Sequence, residues 1–289
     1  MKSLEACIAK AFACVQQKPG DAGCLGKAGG ACAKAEAARQ KAIDKVTTSI
    51  AKGCGEPALA AADLTGATGL GFGFEEGGCG DFGVASVADA DEVARCLVAR
   101  HACRAEALVG TAFPRARELL ALAGRDPSVE APCLPSGGPG GTGADGKAVV
   151  KCQKGLAKAG ATYAKARLQA RQACAAAALV CVQVKAADPQ CLPKAKATCT
   201  KFETKVAAAL ARIAPVLAKA CGTLAFTDVV GTSGVGFGLR TGDCAALDVG
   251  PLDSVSAVAA CLGAQHACRI EQLVEGQTPR AAELRGVLP

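Results

Sequence analysis

Cys174-Ala-Ala-Ala-Ala-Leu-Val-Cys181-Val-Gln-Val-Lys-Ala-Ala-Asp-Pro-Gln-Cys191-Leu-Pro-Lys-Ala-Lys-Ala-Thr-Cys199 carries the pattern that decides the fold. Pairing its cysteines from the inside out joins Cys181 to Cys191 and Cys174 to Cys199. The next cysteines outward, Cys152 and Cys221, continue the series about the same midpoint, near residue 186. An antiparallel helical hairpin with three cross-links produces this nesting. At 100° per residue, Cys152, Cys174 and Cys181 fall within about 40° of one another, with Lys147, Lys151, Lys154, Lys158 and Lys165 roughly opposite. On the returning helix Cys199, Val206, Leu210, Ile213, Leu217 and Cys221 share a stripe, and Lys201, Lys205, Arg212 and Lys219 face away. Both arms between outer and middle rungs are 22 residues long, so the rungs can close together. Pro215 should interrupt the second helix near its end.

The pattern occurs twice. Cys7, Cys14, Cys24, Cys32 and Cys54 recur 167 residues later as Cys174, Cys181, Cys191, Cys199 and Cys221. With a shift of 165, Cys96 and Cys103 recur as Cys261 and Cys268, and His101-Ala-Cys-Arg returns as His266-Ala-Cys-Arg. Pro114-Arg115-Ala116 likewise returns as Pro279-Arg280-Ala281. The first copy repeats the inner rungs, Cys14–Cys24 and Cys7–Cys32. It starts late, so Cys54 lacks the partner that Cys152 offers Cys221. Cys79 and Cys244 are expected to bond one member each of the pairs Cys96/Cys103 and Cys261/Cys268; within a pair, seven residues of helix hold the thiols about 10 Å apart. The remaining partners, including that of Cys133, stay open. Residues 127–147 are rich in Gly and Pro and read as a linker, which divides the chain into units at 1–126 and 148–289.

Each copy also contains an alternating glycine segment, Gly66-Ala-Thr-Gly-Leu-Gly-Phe-Gly-Phe74 and Gly231-Thr-Ser-Gly-Val-Gly-Phe-Gly-Leu239. As a strand it would line up Leu70, Phe72 and Phe74, or Val235, Phe237 and Leu239, on one face and bare glycine on the other. Such a strand would suit pairing between copies or molecules. The expected fold is therefore mainly α. It comprises two tandem repeats, each a disulfide-stapled hairpin, a short Gly-rich β element and a further helix.

Half of the 289 residues are apolar, but many are Ala, with one Tyr, no Trp and eight Phe. So thin a core leaves much of the stabilisation to the 18 cysteines. Their even, regular spacing implies an oxidising, extracytoplasmic compartment, secreted or at the cell surface. The residues after Met1 contain no hydrophobic leader. The chain is expected to be a mature form with its leader removed, or an excerpt with a start codon added. The longest mostly apolar run, from Ala173 to Val184 with Gln183 inside it, is too short to span a bilayer. A net charge of +7 reads as solvated lysine on helix faces, because aromatic stacking partners for nucleic acid are nearly lacking.

Chemical motifs are sparse. The glycine segments lack the Lys-Ser/Thr ending of a phosphate loop and the spacing of a dinucleotide fold. Cys96-x4-His101-x-Cys103 and Cys261-x4-His266-x-Cys268 offer thiolate and imidazole, which makes His101, Cys103, His266 and Cys268 the metal candidates. On a helix, however, each His lies about 140–160° from its two Cys, so structural, buried histidines are expected instead and no metal or other cofactor is assigned. Two His and no Gly-x-Ser-x-Gly elbow leave little material for a catalytic triad, so no enzyme activity is expected.

Val150-Lys-Cys-Gln-Lys-Gly-Leu, continuing through Ala-Lys repeats to Cys174, and the later Cys-Leu-x-x-x-His-x-Cys…Glu-x-Leu-Val segment resemble an uncharacterised family of secreted bacterial cysteine-rich, Lys/Ala-rich helical repeat proteins. The resemblance implies export and disulfides, and it implies no activity or functional residues. The expected role is a non-enzymatic structural or assembly protein, self-associating into a surface layer or fibre. The alternative is an extracytoplasmic binding module for an apolar ligand or a metal ion.

Overall fold

The computed structural model describes residues 1–55 and 59–288. Its main helices are α1 (Lys2–Gln17), α2 (Ala22–Cys54), α3 (Ala90–Ala112), α4 (Ala116–Leu122), α5 (Gly146–Gln183), α6 (Cys191–Ala211), α7 (Ile213–Cys221), α8 (Val255–Gln277) and α9 (Ala281–Gly286). No β-strand occurs among the described residues. The break between α6 and α7 falls at Arg212. Pro215, three residues on, has no N–H to offer the Ala211 carbonyl, so one continuous helix cannot form there.

Two compact units emerge, and neither coincides with a sequence repeat. Unit 1 comprises Met1–Gln40, Ala105–Ala164 and Ala209–Arg269; unit 2 comprises Lys41–Arg104, Lys165–Ala208 and Ile270–Pro289. Each takes its two-rung hairpin from one repeat and its glycine segment from the other.

In unit 1 the hairpin is α1 with the start of α2, closed by Cys7–Cys32 and Cys14–Cys24 with Cα–Cα separations of 4.7 and 5.7 Å. The helix α4 packs on α1. Gly29 allows a close approach, because a Cβ there would lie 2.4 Å from the Ala123 carbonyl oxygen. The first half of α5 lies on α7 through Cys152–Cys221, with Cα atoms 4.5 Å apart. Cys244–Cys261 ties the glycine segment of the second repeat to α8. Phe12, Phe113, Leu119, Tyr163, Leu217, Phe237 and Leu262 are all buried in this unit.

The Gly/Pro-rich stretch 127–147 is built into unit 1. Arg117 donates to Leu134 O, Arg240 to Ser136 O, and Gln16 Nε2 to Gly141 O, while Gly143 N–H donates to Gln16 Oε1. Glu106 accepts from the Cys133 N–H; burial drives its carboxyl above the ordinary range, and this bond opposes the shift. The stretch is a pinned strap within the unit, because its carbonyls serve as acceptors for arginine and glutamine donors, of which Gln16 and Arg240 are buried.

Unit 2 repeats the design. The second half of α5 and the start of α6 form its hairpin, closed by Cys174–Cys199 and Cys181–Cys191 at 4.8 and 5.4 Å. Cys79–Cys96 staples the first repeat's glycine segment to α3, beside Phe72, Val84, Val87 and Val93. Cys103 and Cys133 are also disulfide-bonded, and Cys54 and Cys268 are the free thiols among the described residues.

The glycine segments are turns, which corrects the expected β element. The Leu70 N–H donates to Asp63 O at 2.8 Å and Val235 N–H to Asp228 O at 2.8 Å, folding each segment back on the short helix before it. A Cβ at Gly69 or Gly234 would sit 2.0 or 1.8 Å from those same carbonyl oxygens. Gly71 and Gly236 then take φ of 79° and 82°, in the left-handed region, and 3₁₀ turns follow at Phe72–Glu75 and Phe237–Arg240. The period-2 alternation therefore marks backbone crowding, and it produces no common face. Phe72, Val235 and Phe237 are buried, Leu70 and Leu239 are half-buried, and Phe74 is exposed.

Candidate functional site: an apolar groove beside a free cysteine

A buried arginine holds each glycine turn. In unit 2, Arg280 forks onto Glu283 at 2.8 and 2.6 Å and donates to Thr68 O and Gly69 O at 3.2 and 2.7 Å. Its aliphatic stem lies against Gly71, where a Cβ would be 3.0 Å from Cγ. Arg115 does the same in unit 1, forking onto Glu118 and donating to Gly234 O at 2.9 Å and Gly141 O at 3.0 Å. The Phe12 ring centroid lies 5.7 Å from its guanidinium carbon. A bidentate partner plus carbonyl acceptors satisfies a charge that burial would otherwise make costly.

Alongside the Arg280 clamp, unit 2 opens into a groove of about 240 Å³. Ile50 and Cys54 of α2 form one wall, Leu64, Leu70 and Phe72 the floor by the glycine turn, and Val93 and Leu97 of α3 the next side. Leu179 of α5 and residues Gln277–Arg280 with Leu284 complete it. The lining is apolar apart from Gln277, Thr278, Arg280 and the Cys54 thiol. Gln277 accepts from Gln172 and donates to His101 Nδ1 at 3.4 Å, which leaves the ring proton on Nε2.

The repeat supplies an internal comparison. The counterparts of these residues lie together in unit 1: Leu217 for Ile50, Cys221 for Cys54, Val229 for Leu64, Phe237 for Phe72, Val258 for Val93, Leu262 for Leu97 and Leu119 for Leu284. In unit 1 the same groove is filled. Leu217, Val229, Phe237, Val258, Leu262 and Leu119 are 0% exposed, and the first half of α5 is seated beside this cluster at Ala220 and Cys221. Cys152 bonds Cys221, Gln153 Nε2 donates to Ala112 O at 2.5 Å, and Gly155 sits so close to Ala220 that a Cβ would be 2.4 Å from the alanine's own. Val149, Cys152 and Leu156 are themselves 0% exposed. In unit 2, by contrast, Ile50, Cys54, Leu70, Leu97 and Leu179 remain half-buried.

The metal candidates do not assemble. No group of three or more metal-binding side chains occurs among the described residues. Cys103 is tied up in a disulfide. His266 is buried, its Nδ1–H donates to Leu262 O at 3.0 Å, and its Nε2 faces Gly160, where a Cβ would lie 2.7 Å away. Burial pushes its pKa down to about 4, so the ring is neutral. Burial, and then the neighbouring Arg100, lower that of His101 as well. Free Cys268 is half-buried in unit 1.

Sequence reasoning identified Cys54 as an unmatched thiol and missed the groove beside it. The groove's lining comes from both repeats, and only the structure brings Leu97 and Leu179 together. No helix among the described residues is long and apolar enough to cross a membrane. Neither a protein-family model, nor a curated protein, nor a solved structure matches this chain.

Proposed function

We propose that this is an exported, disulfide-braced assembly protein without enzymatic activity, and that the open groove of unit 2 is its contact surface. One observation carries the reading: a groove sealed in unit 1 by the chain's own helix stands open at the equivalent place in unit 2, apolar walls included. The disulfides support the oxidising compartment. The glycine segments no longer support assembly by strand pairing, since they are turns. A protein of this kind contributes contacts to a layer or fibre through helix packing.

Native mass spectrometry with electron microscopy tests the reading. The oxidised protein should form higher species that Leu179→Asp or Leu97→Asp, placing a charge in the groove, abolishes while the far-ultraviolet circular dichroism is kept. Monomers under all native conditions would overturn it. The groove's apolar lining also favours a second reading, a carrier of a small apolar ligand. Monomers that retain a lipid-sized mass would point there.

A further inference from the structure

We infer that the groove's occupant is an amphipathic helix bearing a cysteine, which a disulfide to Cys54 fixes in place. The inference rests on the assembly reading and specifies the partner's chemistry. Unit 1 supplies the template. There the covering helix presents Val149, Cys152, Gln153, Leu156 and Ala159 inward, all buried, while Lys147, Lys151, Lys154 and Lys158 are exposed. The inward set follows i, i+3, i+4, i+7 and i+10, the stripe of a helix in a groove. Gly155 provides the small residue that lets the backbone approach Ala220.

Unit 2 meets each requirement of that stripe. Cys54 stands where Cys221 receives the Cys152 sulfur. Gly53 stands where Ala220 meets Gly155, and among the described residues no atom lies within 4 Å of the Cβ it lacks, so the approach is at least as open. Leu97 and Leu70, half-buried here, take the places of Leu262 and Val235, which are fully buried in unit 1. Gln277 replaces Ala112, whose carbonyl accepts from Gln153 in unit 1, so the backbone acceptor is conserved by position. A free fatty chain would leave both that acceptor and the Cys54 thiol without a role.

The covalent step balances with a low-molecular-weight disulfide as oxidant. The partner's thiol exchanges with it, giving a mixed disulfide and one small thiol. The Cys54 thiolate then attacks the partner's sulfur and expels the second small thiol, leaving one Cys54–partner disulfide and a fully reduced oxidant. Cys268, also free and half-buried, is an internal control for indiscriminate exchange.

The probe is a synthetic peptide spanning residues 146–167 of this chain, added to the intact oxidised protein with oxidised glutathione. Peptide mapping should find the adduct on Cys54 at least tenfold more than on Cys268. A peptide carrying Val149→Asp and Leu156→Asp should lose at least tenfold of it. A Cys152→Ser peptide with a fluorescent label should still bind by anisotropy, to the wild type and to the Cys54→Ser protein alike. Equal labelling of Cys54 and Cys268, or equal labelling by the aspartate peptide, would overturn the inference. If the peptide fails while groove aspartates still abolish the native oligomers, the helix is wrong and the assembly reading stands. If neither the peptide nor oligomers appear, both fall.

Discussion

His266 shows how burial of one side chain sets a pH dependence. The folded protein holds the ring neutral down to about pH 4, whereas an unfolded chain protonates it near the ordinary 6.5. Between those values the unfolded state binds the extra proton, so the stability that neutral His266 contributes is present above pH 6.5 and is lost as the pH falls toward 4. The full effect is ~3 kcal/mol, from 1.36 kcal/mol per pKa unit. His266→Asn keeps a donor for Leu262 O and should flatten the melting temperature between pH 6.5 and 4 relative to wild type, measured by calorimetry. The glycine turns give a second test at this scale. Gly71→Ala forces a side chain into the left-handed region and should cost ~1–2 kcal/mol in chemical denaturation. Gly69→Ala drives a Cβ into the Asp63 carbonyl and should cost about 3 kcal/mol or more. These glycines were visible in the sequence, but alternation has two physical origins. A bare strand face and a backbone folded against its own carbonyls look alike until the contact between Leu70 N–H and Asp63 O is known.

At the level of elements, the hairpins were the most legible part of the chain. Cysteine spacing encodes a rung directly, because two helices advancing equally in opposite directions keep their cysteines level. Cys7–Cys32 and Cys174–Cys199 accordingly span the same 25 residues, and the inner rungs the same 10. Pro215 likewise announced the break before α7. The arginine clamps were not legible. Arg115 reaches Gly234 O across 119 positions and Arg280 reaches Gly69 O across 211, and neither contact leaves a periodic mark. The outer rung offers the cleanest prediction here. Replacing Cys152 and Cys221 by serine opens a closure of 69 residues and should destabilise the protein by ~3–5 kcal/mol, followed by guanidinium unfolding. The loss should appear first as hydrogen exchange in residues 146–164 and 213–221, since that rung joins those segments.

At the scale of the molecule, duplication in sequence did not yield one compact body per copy. Each unit pairs the hairpin of one repeat with the glycine turn, stapled helix and floor of the other. Repeat boundaries are written in the sequence, whereas the compact units depend on long-range contacts such as Arg115 to Gly234 O and Arg280 to Gly69 O, which leave no mark there. The Ala-rich helices bury little area per residue, so the cross-links matter to the whole. Reduction with a strong dithiol should abolish cooperative thermal unfolding, while non-reducing alkylation of the native protein should modify Cys54 and Cys268 and spare the rest. The interleaving also fixes an order of events during synthesis. A chain emerging from its amino end can close Cys7–Cys32 early, but unit 1 waits for residues up to 269 and unit 2 for the segment that begins at Ile270. Arg280 and its glycine turn meet only after the 211 positions between Gly69 and Arg280 have been made. Unit 1 can therefore close only after residue 269 has joined it, and unit 2 only after unit 1 has received all of its segments, so the two units mature in a fixed order even though the chain passes back and forth between them.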